Sequence, residues 1–325
     1  MDLAEIIVGE IRAGGPLPFH RFMELALYHP TRGYYTGGRD PFGKGGDFYT
    51  NAQLQPVFGR LLAQQLDRWR RDIGPRERFT VVELGAGRAE TGAEVRRCMP
   101  DVEWIAVDRS DRWPGGPVTG VVLCNEFFDA LPVDVVERRG GDWVEWGVGE
   151  SRGHLAWEPT GRRGPRAGLP RVGEGRRIET CERQVAALRR IRGMLGKGWL
   201  LAIDYGYTRA EVERGGRFPA GSLMAYASHR ADPDVLADPG RRDITAHVNF
   251  SALEEAGRSA GFEVLPLRTQ QSFLLEIGKP DAFAYALAAG TERRATELRL
   301  QLKSLLFGLG EVFRVLVMHA PQPYT

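Results

Sequence analysis

Apolar residues recur at helical spacing through the first 78 positions. Leu3, Ile6, Ile7 and Ile11 mark one face of a helix that Gly14-Gly15 stops. Phe19, Phe22, Met23, Leu25 and Leu27 mark a second. It ends where His29 precedes Pro30, since a residue before proline is pushed out of the helical region. A glycine-rich loop, Gly37–Thr50, follows. Pro56 suits a first helical turn and opens a third helix with the stripe Leu61, Leu62, Leu66 and Trp69.

From Phe79 the pattern changes to short, continuous apolar runs separated by glycines and helical stretches. The runs are Phe79–Leu84, Glu103–Val107, Val118–Cys124 and Trp199–Ile203. Strands covered on both faces of a parallel sheet read this way. Val185, Leu188, Ile191 and Met194 predict a helix over Cys181–Leu195. Ser251 and Glu254 have capping-box spacing and predict a helix from there to Gly261. Phe262–Leu267 and Phe313–Met318 are read as the last two strands, and Asp281–Phe307 as one long helix or two. Val133–Arg139 and Trp143–Val148 flank Gly140-Gly141-Asp142 as a hairpin. Ser151–Gly175, rich in Arg, Gly and Pro, is read as an exposed excursion.

Composition narrows the class. Of 325 residues, 42% are apolar and 26% charged, as expected of a globular chain. No run of about 18 apolar residues is present, so no membrane span is expected. Met1–Gly15 lacks the basic start and long apolar core of a secretory signal, which makes a bacterial cytoplasm the expected location. Cys98, Cys124 and Cys181 lie far apart, which argues against structural zinc or a disulfide framework; no metal site is expected. A net charge of +2 gives no support for a nucleic-acid partner.

The most informative turn follows the first apolar run. Val81-Val82-Glu83-Leu84 leads directly into Gly85-Ala86-Gly87. In a doubly wound sheet this crevice binds ligands, and glycines let the backbone approach one closely. Position 90 is Glu, not the third glycine of the dinucleotide pattern, which weighs against NAD. Asp108 ends the next strand, roughly 20 residues on, where a carboxylate accepts both hydrogen bonds of a ribose diol. Glu83 suits an amine or sulfonium better than a phosphate. S-adenosylmethionine (SAM) combines adenosine, an amino acid and a sulfonium, and fits these two acids better than NAD does.

Longer segments carry a resemblance. They are Pro18-Phe19 with Phe22–Pro30 and Gly33-Tyr34-Tyr35, then Gly45–Thr50 with Pro56–Gly59. Asn125-Glu126-Phe127-Phe128-Asp129-Ala130-Leu131-Pro132, Asp204–Tyr207 and Asp243–Val248 complete the set. In this order the chain resembles the MidA-like SAM-dependent methyltransferases along nearly its whole length. Mitochondrial members of that family assist respiratory complex I assembly by dimethylating an arginine of a subunit. The resemblance implies an α/β class I methyltransferase (Rossmann-like) doubly wound sheet with an antiparallel last strand. It also implies an N-terminal helical extension, 1–78, and a SAM-binding core, 79–325, with insertions at about 140–177 and 207–250. Gly46, Asp47, Phe48, Glu83, Gly85, Gly87, Asp108 and Asn125 would surround SAM. Glu126, Asp129, Asp204, Tyr205 and His247 would lie nearer the acceptor. Only Arg109–Cys124 separates Asp108 from the Asn-Glu-Phe-Phe run, shorter than is usual in the family, so one sheet edge is expected to be trimmed. Asp108 stands where Glu is commoner.

If the acceptor is a protein arginine, carboxylates can grip two guanidinium N–H groups and turn the third nitrogen toward the methyl. Glu126 and Asp129 are the candidates for that clamp, Asp204 and Tyr205 sit at another strand end, and His247 is a candidate proton acceptor. Each has a structural alternative: Glu126 as a helix cap, Asp129 as a turn residue, Asp204 and Tyr205 as a corner, His247 as a satisfied core histidine. Tyr28, Tyr34 and Tyr35 are read as docking the N-terminal helices. Other readings remain open: a small-molecule O- or N-methyltransferase, or a SAM-binding assembly factor without catalysis. An NAD-linked oxidoreductase fits least. A homodimer is also left open.

Overall fold

The computed structural model describes residues 2–38, 54–75, 77–108, 111–164, 169–227 and 230–321. In chain order the first elements are α1 (Leu3–Gly14), β1 (Leu17–Pro18), α2 (Phe19–Tyr28), α3 (Val57–Ile73), β2 (Thr80–Leu84), α4 (Glu90–Cys98), β3 (Glu103–Val107) and β4 (Val118–Asn125). Then come β5 (Val135–Arg139), β6 (Asp142–Ser151), β7 (His154–Arg163), β8 (Arg177–Glu179), α5 (Glu182–Met194) and β9 (Leu195–Tyr207). After these follow α6 (Arg209–Gly215), β10 (Met224–Ala227), β11 (Arg230–Asp232), β12 (Asp243–Thr245), β13 (Val248–Asn249) and α7 (Phe250–Ser259). The chain closes with β14 (Glu263–Val264), β15 (Arg268–Thr269), α8 (Gln270–Gly278), α9 (Glu292–Lys303), α10 (Leu309–Val312) and β16 (Phe313–Ala320).

These elements form two compact units. One comprises Met1–Tyr49, Asp129–Gln184 and Tyr207–Ala252; the other, the sheet unit, comprises Thr50–Phe128, Val185–Gly206 and Leu253–Thr325. This differs from the expected boundary after residue 78. Helix α3 falls in the sheet unit because Phe58, Leu61, Leu62, Leu66 and Trp69 share a core with Val81, Val121 and Leu201. Both expected insertions fall in the first unit together with α1 and α2.

In the first unit the helix stripes read from the sequence are the buried faces. Leu3, Ile7 and Ile11 of α1 and Phe19, Phe22 and Leu27 of α2 pack with Val135, Val148 and Ile244. Asp2 caps α1 through a reciprocal pair with Glu5, satisfying two donors at the helix start. The strands run in the order β1-β6-β5-β8, with β7 also paired to β6, and β11-β10-β12 form a separate small sheet. The excursion expected at Ser151–Gly175 is in part a strand. Arg152 and Gly153 take positive φ (52° and 81°), a tight turn that returns β7 antiparallel along β6. The exposed, polar face of β7 hid this from a search for apolar alternation. The helix start expected at Ser251 also needs correction. Asn249 Oδ1 accepts from Ala252 N at 3.2 Å and caps α7, whereas Ser251 Oγ accepts from Arg209 N at 2.9 Å.

In the sheet unit the strand order is β14-β16-β9-β4-β2-β3. Strands β3, β2, β4 and β9 are parallel, and β16 is antiparallel to β9 from Phe313↔Tyr205 to Ala320↔Gly198. This is the expected Rossmann-like sheet with its reversed last strand. The middle strands are buried along their length, which is why their sequences run apolar without alternation. Strand β3 is the outer strand of this order, and no strand follows it before β4 among the described residues. The sheet is therefore short on that edge, in keeping with the brief Arg109–Cys124 connection. Phe262–Leu267 contributes only β14, and β15 follows at Arg268. In Asp281–Phe307 the α-helix begins at Glu292, where Thr291 accepts from Arg294 N.

Candidate active site

Parallel topology gathers the C-terminal ends of β2, β3, β4 and β9 along one edge of the sheet unit, the edge where such sheets bind ligands. Gly85 and Gly87 form the turn leaving β2 with φ of 71° and 50°. The amides of Gly85 and Ala86 both donate to Val107 O, at 2.9 and 3.3 Å, which ties the turn to the end of β3. A Cβ at Gly85 would come within 3.2 Å of the Phe127 ring. The backbone here is bare because the chain needs it so, and a bare backbone is what close approach of a ligand requires. Glu90, at the place of the absent third glycine, opens α4.

Glu83 is buried one residue before the end of β2, and Trp104 Nε1 donates to its Oε2 at 3.1 Å. Burial pushes its carboxyl up to about 7, against the opposing effect of that hydrogen bond. At neutral pH its neutral and charged forms therefore lie close in free energy. Asp108 follows β3, and its amide donates to Asp111 Oδ2 at 2.8 Å. Beyond it Trp113 meets Phe127 (centroids 6.4 Å apart) and carries the Arg190 guanidinium 4.0 Å from its ring centre. Trp113 was not among the residues singled out from the sequence.

The end of β4 carries a left-handed backbone residue. Glu126 is not glycine, yet its φ is 53°, a left-handed conformation that costs an L-residue about 1–2 kcal/mol. Three contacts hold it there. Glu126 N donates to Ile203 O (2.9 Å), Asn125 Nδ2 donates to Glu126 Oε1 (3.2 Å), and Phe128 N donates to Asp204 Oδ2 (3.0 Å). Asp204 is fully buried, and its Oδ1 also accepts from Tyr205 N at 2.9 Å. These bonds make Asp204 a brace for the Asn-Glu-Phe-Phe turn. Tyr205 packs edge-on to Phe313.

Asp129 and His247 belong to the first unit. Asp129 is buried, and its carbonyl accepts from Ala246 N at 3.1 Å. Tyr28 donates to Ala130 O (2.8 Å), Tyr35 donates to Asp243 Oδ1 (2.9 Å), and the two rings stack. Burial, then Asp243, Tyr28 and Asp129, hold the Tyr35 phenol well above its ordinary value. The tyrosines therefore dock α2 against the turn after Asp129. Asp243, a second buried carboxylate, was missed as a site candidate although it opens one of the motifs that carry the resemblance. His247 rests against Phe218, with ring centres 4.6 Å apart, and its amide donates to Ser222 Oγ. Burial and then the nearby Arg217 lower its imidazole to about 4. At neutral pH it is uncharged and a weak base, which counts against its expected role as proton acceptor. Gly46, Asp47 and Phe48, also expected at the cofactor, lie outside the described residues.

The edge fits a SAM-sized donor by its own features: a glycine cradle, a buried acid able to ionise, and a second acid after β3. Comparisons with known proteins agree. Residues 93–267 match the model of a family described as putative S-adenosyl-L-methionine-dependent methyltransferase. A solved protein of Burkholderia thailandensis, bound to S-adenosyl-homocysteine, is 31% identical with a TM-score of 0.87, covering 99% of this chain and 93% of that one. The mitochondrial protein arginine methyltransferase NDUFAF7 of Danio rerio is 27% identical over 84% of this chain and 75% of its own. The Homo sapiens protein of that name is 25% identical over 83% and 71%. Motifs, sheet order and glycine cradle thus converge with these likenesses, and the chain belongs to the MidA-like family as a SAM-dependent methyltransferase.

Proposed function

We propose that the chain methylates an arginine side chain of a protein. The observation that carries this reading is Glu126. Its carboxylate stands at the end of β4 on a left-handed residue that three hydrogen bonds keep in place. A strained acid at a ligand-binding edge is maintained against a stability cost, as functional residues are. The arginine methyltransferase relatives support the same acceptor.

Glu83, Gly85, Gly87, Asp108 and Asn125 would hold SAM, with Gly46, Asp47 and Phe48 as further candidates. SAM supplies a methyl group on a sulfonium, a leaving group that needs no activation. The protein's task is then alignment. Glu126 accepts two N–H bonds from the guanidinium, concentrates its charge on those nitrogens and orients the third. The proton that the methylated nitrogen sheds passes to solvent water, since the carboxylate remains engaged with the other two nitrogens. Asp204 and Tyr205 keep the turn that presents Glu126.

The test is to incubate the protein with methyl-labelled SAM and a bacterial lysate, then search by mass spectrometry. Labelled mono- or dimethylarginine in a protein, absent with Glu126→Gln, is the expected result. Label confined to a small metabolite would replace this reading with the small-molecule one. SAM binding without transfer to any acceptor would replace it with the assembly-factor one.

A further inference from the structure

Two sequence features with no obvious purpose meet at Glu83. Trp104 stands on β3, the outermost parallel strand, where its backbone pairs with Val81. Gly92 lies inside α4, where glycine costs a helix about 1 kcal/mol relative to alanine. The structure connects them. A Cβ at Gly92 would fall on the Trp104 indole nitrogen, so only glycine leaves the ring its place beneath the helix. From there the indole N–H reaches Glu83 Oε2 at 3.1 Å. Indole is a donor only, so this contact favours the ionised carboxylate and leaves the second oxygen's acceptor capacity for a ligand.

We propose that Trp104 is a positioning residue for methyl-donor binding: seated in the gap at Gly92, its N–H holds the Glu83 carboxylate as the anionic partner of the donor's cationic end. This rests on the placement of Glu83 in the donor site. Charged and titratable groups on the elements packed beside this pair include Arg60 of α3, Glu90, Glu94, Arg96, Arg97 and Cys98 of α4, Glu103 of β3 and Cys124 of β4. Glu94 pairs with Arg60 (3.3 Å) and Arg97 (2.7 Å), Glu90 lies 3.8 Å from Arg88, and Glu103 accepts from Thr80 at 2.6 Å.

The probe is S-adenosylhomocysteine, titrated calorimetrically between pH 5.5 and 8.5 into wild type, Trp104→Phe, Gly92→Ala, Glu83→Gln and the Trp104→Phe/Glu83→Gln double variant. Trp104→Phe keeps the ring and removes the N–H; Gly92→Ala displaces the ring and keeps both partners. Each single change at 104 or 92 is expected to weaken binding about tenfold at pH 7 and to move the binding midpoint to higher pH. On the Glu83→Gln background, Trp104→Phe adds less than twofold. In the unliganded protein the Trp104 indole ¹H–¹⁵N resonance, identified by its loss in Trp104→Phe, titrates with a midpoint of about 7 and is flat in Glu83→Gln. Wild-type affinity and pH profile in both Trp104→Phe and Gly92→Ala, with Glu83→Gln still weakened, would overturn the positioning role alone. Wild-type affinity in Glu83→Gln would instead remove Glu83 from the donor site.

Discussion

The left-handed backbone at Glu126 makes a prediction that separates strain from chemistry. Glu126→Ala and Glu126→Gly both delete the carboxylate and its hydrogen bond with Asn125, so those losses cancel between them. What differs is the backbone at φ 53°. Alanine still bears a Cβ and retains the left-handed cost of about 1–2 kcal/mol. Glycine is relieved of it and loses roughly 0.5–1 kcal/mol through the greater freedom of its unfolded chain. At the centre of those ranges the glycine variant should therefore be the more stable by about 0.75 kcal/mol, the reverse of the usual order. With a urea slope of about 3 kcal/mol per molar, that separates the unfolding midpoints by roughly 0.2–0.3 M. Both variants should lose methyl transfer while S-adenosylhomocysteine binding stays within a few fold. If the alanine variant matches or exceeds the glycine variant in stability, the turn is not strained. If either keeps wild-type turnover, Glu126 does not act on the acceptor.

Four further outcomes follow from the same geometry. Gly85→Val should abolish S-adenosylhomocysteine binding, since a branched side chain at φ 71° both strains the turn and crowds Phe127; unchanged calorimetric affinity would contradict it. Glu83→Gln should stabilise the protein by up to about 3 kcal/mol above pH 7 and far less near pH 4.5. The folded carboxyl titrates at about 7 and the unfolded one near 4.5, so wild-type stability falls as pH rises between them; denaturant melts at both pH values test this. His247→Gln should blunt acid sensitivity by up to about 3 kcal/mol. The folded imidazole stays neutral down to about 4 while the unfolded one takes up a proton below 6.5, so wild type loses stability as pH falls through that window, as thermal melts from pH 7 to 4 would reveal. Asp204→Ala should cost about 2–4 kcal/mol because the buried Phe128 N–H loses its acceptor, whereas Asp204→Asn, which keeps one, should cost clearly less; equal losses in urea melts would refute the brace.

Much of the fold is written locally and was therefore readable. The parallel strands had to be apolar on both faces, so Val81–Leu84, Val118–Cys124 and Trp199–Ile203 stand out without any knowledge of partners. The Gly85-Ala86-Gly87 turn was legible for the same reason, because its positive φ values select glycine. Strand β7 was not legible, since most of its residues are exposed or only half-buried and it is pairing with β6, with Trp157 stacked on Phe19, that orders them. Nor was the allocation of α3 to the sheet unit, which depends on which core its stripe meets.

The candidate site divides in the same way. Sequence alone determined which chemical groups the chain carries: two acids flanking a glycine turn, and an Asn-Glu pair after a buried strand. Tertiary structure decided what each group does. Burial raises Glu83 and lowers His247 because removing water penalises the charged form of either, whatever the residue's neighbours in sequence. Hydrogen bonds from distant segments turned Asp204 into a brace and pinned Glu126 in a conformation its own backbone disfavours. Desolvation and long-range hydrogen bonding depend on what packs nearby in space, and a linear pattern does not encode that.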